Sequence, residues 1–408
     1  MSRAKRKVAV FTGNRAEYGL QFPILKAINE HPDLEYQLIV SGAHLDSNFG
    51  RTLEEIQGDG FRIDSEVKID MKADVRIATA QAIGSGVLGV SMALEKLSPD
   101  LVVVYADRFE GFAAVIAATQ MNMPTAHIEG GDLTEGGALD DSVRHAMTKL
   151  AHLHFTTNQQ ASNRILAMGE EAWRVHTVGF PAIDLISDGR FASADEVVKR
   201  LGLDLTRPVV LFTQHSVTTE FELAVQQVVP SLQAIEQLAR RGVQVVVTYP
   251  NNDAGGRSII AALAELEAKQ LPNVQFHSSL GRSLYHGVLA LAWDRKLRIA
   301  CVGNSSSGVK ETPVFGCPTV NIGSRQEGRL RGSNVIDASY DADAIVLAVE
   351  RCLHDEAFRA TAHATDNPYF LGGAGKKIAA VLADVPIGQK LLRKSMTLKG
   401  EVRDGWYR

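Results

Sequence analysis

The chain has 408 residues, enough for two or three domains and for two full hydrophobic cores, which excludes a small disulfide-stapled fold. Apolar residues make up 45% and charged residues 22%, the balance of a folded protein and not of a disordered or fibrous one. A net charge of −4 removes the electrostatic case for nucleic acid, and three scattered cysteines without CxxC spacing point to a reducing compartment and no zinc site. The basic start leads into an apolar stretch, Val8 to Phe11, too short for a signal-peptide core. No run of about 18 uninterrupted apolar residues follows, so the expectation is a cytoplasmic protein without a membrane span.

In chain order, short β-rich apolar runs alternate with helix-period segments. Strands are predicted over 7–12, 36–41, 101–105, 124–128, 153–156 and 174–178, with helices over 18–30, 76–97, 109–121 and 140–151. Gly179-Phe180-Pro181 and the polar Ser187-Asp188-Gly189-Arg190 read as a linker, after which the alternation restarts. Second-module strands are predicted over 208–213, 243–249, 274–276, 298–302 and 318–322, with helices such as 220–241 and 258–269 between them. The fold class is therefore α/β: two Rossmann-like, doubly wound domains with an interdomain cleft. The expected division is residues 1–180 and 181–365, then a helix within about 366–388, and a basic tail over 389–408 with no assigned role.

Ligands in such sheets sit beyond the carboxyl ends of the strands, and the polar clusters fall there. Thr12-Gly13-Asn14-Arg15 meets a helix start, where Arg15 can contact phosphate; it is not GxGxxG, so a dinucleotide fingerprint is absent. Tyr105-Ala106-Asp107 and His127-Ile128-Glu129-Gly130-Gly131 end neighbouring β/α units, and Asp140-Asp141 opens the following helix. Asp107, Asp140 or Asp141 could each be a plain helix cap. Three carboxylates meeting at one place raise one another's pKa, which suits general acid/base work.

In the second module His215 follows a strand, as does the polar loop containing Asn251. The run Gly303-Asn304-Ser305-Ser306-Ser307-Gly308 then passes from strand to helix, an anion pocket of N–H groups, hydroxyls and helix dipole. Glu311, one turn inside that helix, could accept from two ribose hydroxyls; the bland alternative is a Ser-rich cap with a solvated Glu. Arg325 supplies a further cation for a diphosphate.

The ordered motifs GNRAEYGL, ADRFE, HIEGGD, DDSVRHA, TQHS, YPNNDAGG and GNSSSGVKETPVFGCPTVNIGSRQEGR resemble the UDP-N-acetylglucosamine 2-epimerases, specifically the hydrolysing, sialic-acid and legionaminic-acid branch, over residues 7–368. The resemblance implies a glycosyltransferase-B-like fold whose C-terminal helix, about 372–382, returns to the first domain. It implies elimination of the nucleoside diphosphate to a 2-acetamidoglucal, then addition of water to give a free ManNAc-type sugar, without NAD or metal. Carried over by motif, Asp107, Glu129 and Asp140 handle the C2 proton and the water. Arg144 holds a carboxylate or the substrate, and His215 stands near the diphosphate. Arg15, Ser306, Ser307 and Arg325 bind phosphate, Asn251 lines the pocket, and Glu311 binds ribose. A homodimer or homotetramer is the implied assembly. Asn14 and Glu17 stand where relatives more often have Thr and Asp, and the loop over 133–139 differs from the short animal version. These departures leave open the C4 and C6 substituents of the sugar, the UDP or GDP carrier, and which carboxylate is the base. The alternatives are a non-hydrolysing epimerase, less close because HIEGG with DDSVRHA is unlike its HVEAG and PEExNR pattern, a glycosyltransferase of the same fold, and a non-catalytic nucleotide-sugar binder.

Overall fold

The computed structural model describes residues 4–45, 52–69, 76–134, 139–251 and 254–397. Two compact units emerge, one formed by Met1–Asp132, Leu139–Asp184 and Leu371–Arg408, the other by Leu133–Ala138 and Leu185–Phe370.

The first unit runs β1 (Arg6–Thr12), α1 (Arg15–Glu30), β2 (Leu34–Ser41), α2 (Thr52–Gly58), β3 (Ile63–Val67), α3 (Arg76–Leu97), β4 (Leu101–Tyr105), α4 (Phe109–Gln120), β5 (Thr125–Ile128), α5 (Leu139–Leu150), β6 (Leu153–Thr156), α6 (Gln159–Ala167) and β7 (Val175–Thr177). Its strands form a parallel sheet in the order β3-β2-β1-β4-β5-β6-β7. Runs such as Leu101–Tyr105 are apolar without alternation because helices cover both faces, and all five of its residues are buried.

After α7 (Ala182–Ser187) and α8 (Ala194–Leu201), the second unit adds β8 (Val209–Thr213), α9 (Ala224–Arg240), β9 (Gln244–Thr248), α10 (Gly256–Glu267), β10 (Val274–His277), α11 (Gly281–Ala290), β11 (Ile299–Gly303), α12 (Ser307–Lys310), β12 (Thr319–Ile322), β13 (Val335–Ala338), α13 (Ala342–His354) and α14 (Glu356–His363). This sheet is also parallel, ordered β10-β9-β8-β11-β12-β13. Its two faces carry separate cores, one around Phe212, Val245 and Val349, the other around Leu211, Val288 and Phe315.

The chain then returns to the first unit. In α15 (Ala374–Asp384) the N–H groups of Ala374 and Gly375 donate to Asp184 at 3.1 and 2.8 Å, and Gly375 lies so close to α1 that a Cβ would come 2.5 Å from the Pro23 carbonyl oxygen. Residues 389–397 are held as well. The buried Arg174 donates to the carbonyls of Lys390, Leu391 and Arg393, closing α16 (Gln389–Leu392). Lys394 Nζ donates to the Lys149 and Ala151 carbonyls at 2.8 and 2.6 Å, capping the carboxyl end of α5. The rest of the tail lies outside the described residues.

One helix departs from the expected absence of a membrane-length segment. Ile77–Leu97 is long and apolar enough to span a bilayer by length and composition, because the interruptions by Thr79, Gln81, Ser85 and Ser91 are few and uncharged. It packs on α4 and β3 within the first unit and leaves Ile77, Leu88 and Met92 exposed.

Candidate active site

In each sheet the strand order reverses once, between β1 and β4 in the first unit and between β8 and β11 in the second, and the loops leaving these strands are where a ligand is accommodated.

In the first unit, Asn14 caps α1 by accepting the Glu17 N–H at 3.0 Å, and Glu17 accepts the Gly13 N–H at 2.8 Å in return. Glu17 is buried, and burial pushes its carboxyl up to about 8 against the opposing Gly13 bond, with charge on Glu110 and Asp107 adding to the rise. Glu110 is likewise buried and raised, chiefly by burial. Arg15 opens α1; its side chain lies outside the described residues.

Asp107 is not the cap of α4. Arg108 occupies that position without a side-chain cap bond, and the Asp107 carboxylate pairs instead with Arg144 Nη2. Arg144 is only 3% exposed, and its Nη1 donates to the Glu129 carbonyl at 3.0 Å. Burial works against its charge, but Asp107, Glu129, Asp132 and Asp141 together hold its pKa above the ordinary value. A buried cation thus sits among carboxylates from two strand-exit loops and the first turn of α5, a pairing that is costly to break from one side. The Tyr105 phenol, raised first by burial and then by the Glu129 charge, stays protonated beside that carboxylate. Ala106 and Glu129, flanking or forming the acidic positions, have φ of +54° and +64°, a strained conformation for residues with a Cβ.

The structure therefore brings Asp107, Glu129 and Arg144 together. Asp140 is partly exposed in the first turn of α5, while Asp141, weighed from sequence only as a cap, is buried and acts on the Arg144 charge.

In the second unit Gly303 ends β11 at φ +131°, where a Cβ would fall 1.9 Å from the Thr213 carbonyl oxygen; only glycine fits so close to β8. Asn304 then ties three strand exits. Its Oδ1 accepts the His215 N–H at 2.7 Å, its Nδ2 donates to the His215 carbonyl at 2.9 Å, and its own carbonyl accepts from Arg325 and Gln326 at 3.2 and 2.8 Å. Asn251 fixes the His215 ring at Nδ1, with its backbone nitrogen 3.2 Å and its side-chain oxygen 3.1 Å away. Burial, then the Arg325 charge, lowers the His215 pKa to about 3, so the ring is neutral.

Ser306 stands at the N-cap of α12 and makes no cap bond, so its hydroxyl is not spent on capping. Ser307 Oγ lies 2.6 Å from the Tyr285 hydroxyl. α12 is only four residues long and turns into a 3-10 segment, so Glu311 lies at its carboxyl end, not one turn inside, and its Oε2 is 2.8 Å from His286 Nε2. With so short a helix the dipole contributes little. Binding of an anion there would fall to the loop N–H groups, the hydroxyls and Arg325. Asn252 and Asp253 are outside the described residues. Among the described residues, no group of three or more His, Cys, Asp or Glu is arranged to hold a metal ion.

The sequence profile of the UDP-N-acetylglucosamine 2-epimerases matches residues 26–383. The chain belongs to this family. Within the epimerase family it is 32% identical over 390 residues to the UDP-N,N'-diacetylbacillosamine 2-epimerase (hydrolyzing) of Legionella pneumophila, covering 95% of this chain and 98% of that one. To the GDP/UDP-N,N'-diacetylbacillosamine 2-epimerase (hydrolyzing) of Campylobacter jejuni it is 33% identical over 335 residues, 82% of this chain and 85% of the relative. In fold it is similar to the UDP-GlcNAc 2-epimerase of Neisseria meningitidis solved with UDP-GlcNAc, with a TM-score of 0.78 at 17% identity over 92% of this chain and 99% of that one. Against this epimerase background, the residues that sequence reasoning missed are Glu110, Asp141 and Asn304. Glu110 and Asn304 stand inside motifs already singled out, next to Asp107 and Ser306, and their position there was the one available signal.

Proposed function

We propose that the protein is a hydrolysing nucleotide-sugar 2-epimerase acting on a UDP-linked 2-acetamido sugar, UDP-GlcNAc or a 2,4-diacetamido relative. The observation that carries this reading is the buried Arg144 holding the Asp107 carboxylate and the Glu129 backbone at the exits of adjacent strands. An anchored Asp107 carboxylate beside a second acidic residue whose backbone is fixed by the same guanidinium suits removal of a weakly acidic C–H proton followed by delivery of a proton elsewhere.

In the first step a carboxylate takes the C2 proton, the C1–O bond breaks with its electron pair leaving on the nucleoside diphosphate, and a 2-acetamidoglucal remains. In the second, C2 is reprotonated on the opposite face and water adds its hydroxyl to C1, giving a free ManNAc-type sugar. Asp107, Glu129 and Asp140 share these proton transfers, and Arg144 orients Asp107 and the Glu129 backbone. His215 and Arg325 bind the departing diphosphate together with Ser306, Ser307 and Arg15. Asn251 fixes the His215 ring, and Glu311, oriented by His286, accepts from the ribose hydroxyls. The two hydrolysing relatives support the branch and favour a diacetamido sugar. The product suits a sialic- or legionaminic-type nonulosonic acid pathway in the cytoplasm, and the exposed Ile77, Leu88 and Met92 of α3 suit a homodimer or homotetramer.

Proton NMR in deuterated water, with UDP-GlcNAc and its 2,4-diacetamido analogue in parallel, tests the reading. A free reducing sugar carrying deuterium at C2 is expected from one of them. A product still linked to its nucleotide, or turnover only with an acceptor present, overturns it.

A further inference from the structure

His127 belongs to the motif that supplies Glu129, yet the proposed reaction gives it no task. Its ring is fully buried, with Nδ1 3.1 Å from Thr148 Oγ1 and Nε2 2.6 Å from the Ala106 carbonyl oxygen. A carbonyl can only accept, so Nε2 carries the proton, and Nδ1 is left to accept from the Thr148 hydroxyl. Burial brings the His127 pKa to about 3, which keeps the ring neutral and this pattern intact at ordinary pH. Gly130 makes room for the pair: a Cβ there would lie 2.8 Å from Thr148 Oγ1 and 2.9 Å from His127 Nδ1.

The carbonyl that His127 holds is not an ordinary one. Ala106 has φ +54° and immediately precedes Asp107. Its N–H donates to the Ile128 carbonyl at 2.9 Å, so the residue is gripped from β5 on both its donor and its acceptor. An alanine leaves the left-handed region unless the surroundings hold it there, and leaving it would swing Asp107 away from Arg144.

We propose that His127, fixed by Thr148 in its Nε2–H tautomer, is a positioning residue that locks Ala106 in the left-handed conformation and so aims the Asp107 carboxylate at Arg144. The inference rests on the epimerase reading for its catalytic consequence, but not for its structural one.

Two variants and a rescue test it. His127→Leu removes the donor and should lower kcat about 100-fold with KM changed less than about threefold, as expected when a reacting group is misaimed without loss of binding. His127→Gln, whose amide can still donate to Ala106, should recover most of the loss. Ala106→Gly placed in the His127→Leu background should restore about tenfold, since glycine takes the left-handed conformation unaided. The same cycle is read in thermal unfolding, where Ala106→Gly should raise Tm more in the His127→Leu background than in the parent chain. If His127→Leu does not fold, the near-isosteric Thr148→Val replaces it, with a smaller fall in kcat and a changed His127 tautomer in long-range proton–nitrogen NMR. Unchanged kcat in these variants, or a fall that neither the amide nor the glycine relieves, with no coupling in Tm, overturns the proposal. Coupling in Tm in a parent chain that releases no free sugar overturns the epimerase reading alone.

Discussion

The two strand-exit sites are built on opposite electrostatic plans. In the first unit a buried guanidinium is surrounded by carboxylates, with two more acids, Glu17 and Glu110, raised by burial behind them. In the second, the hub is a neutral asparagine whose side chain fixes the backbone of a neutral histidine and whose carbonyl accepts from Arg325 and Gln326. The first arrangement suits proton transfer because its acids are gathered around one buried cation at adjacent strand exits. The second can hold an anion because its donors are aimed in advance and cost no rearrangement on binding. The fold is the same in both; the difference lies in what leaves the strands.

The sharpest way to break that contrast is Asp107→Asn. It should lower kcat by about 1,000-fold while leaving the calorimetric affinity for UDP near that of the parent, because the anion site is built from other strands. Loss of UDP binding with preserved turnover would invert the assignment. The intermediate case is Asn304→Ala, which removes both side-chain partners of the His215 backbone while leaving the carbonyl that accepts from Arg325 and Gln326. It should weaken UDP binding about tenfold and cost about 2 kcal/mol of stability in denaturant unfolding, the cost of leaving buried groups unsatisfied.

The smallest expected effect concerns pH. Glu17 in the folded chain titrates near 8, above its ordinary 4.5, so the folded state keeps a proton that the unfolded state gives up. Its contribution is complete below about 4.5 and is lost as pH rises through about 8. Glu17→Gln should flatten the decline of Tm over that window. His127 and His215, lowered to about 3, act in the opposite sense, with stability present above about 6.5 and lost as the pH falls towards 3, and that acid limb should survive the substitution.

Much of this plan is legible in the amino-acid order. The predicted helix over 76–97 coincides with α3, and β4, β8 and β9 fall inside predicted runs because apolar stretches bounded by turn residues leave little choice. α1 begins three residues earlier than its apolar spacing indicates, since the Asn14–Glu17 reciprocal cap extends it. The edge strands β3 and β13 escape prediction: IDSEV and VIDA carry acids and are only partly buried, so they lack the apolar signal. At the sites, motif position at strand ends locates Asp107, Glu129 and His215. The pairing of Asp107 with Arg144, 37 positions away, and of Asn304 with His215, 89 away, depends on which strands become neighbours, and no local pattern encodes it. α12 is shorter than its sequence context suggests because the Thr312-Pro313 step halts the helix after one turn.

The late return of α15 and residues 389–397 to the first unit bears on how the polypeptide is made. During vectorial synthesis on the ribosome, the stretch Leu185–Phe370 has all its strands once α14 has emerged, whereas the earlier-made segment waits, with one flank of α1 uncovered, for the last few dozen residues. The order of completion is therefore the reverse of the order of translation, and a premature stop after residue 370 would spare the later-made half and strand the earlier one.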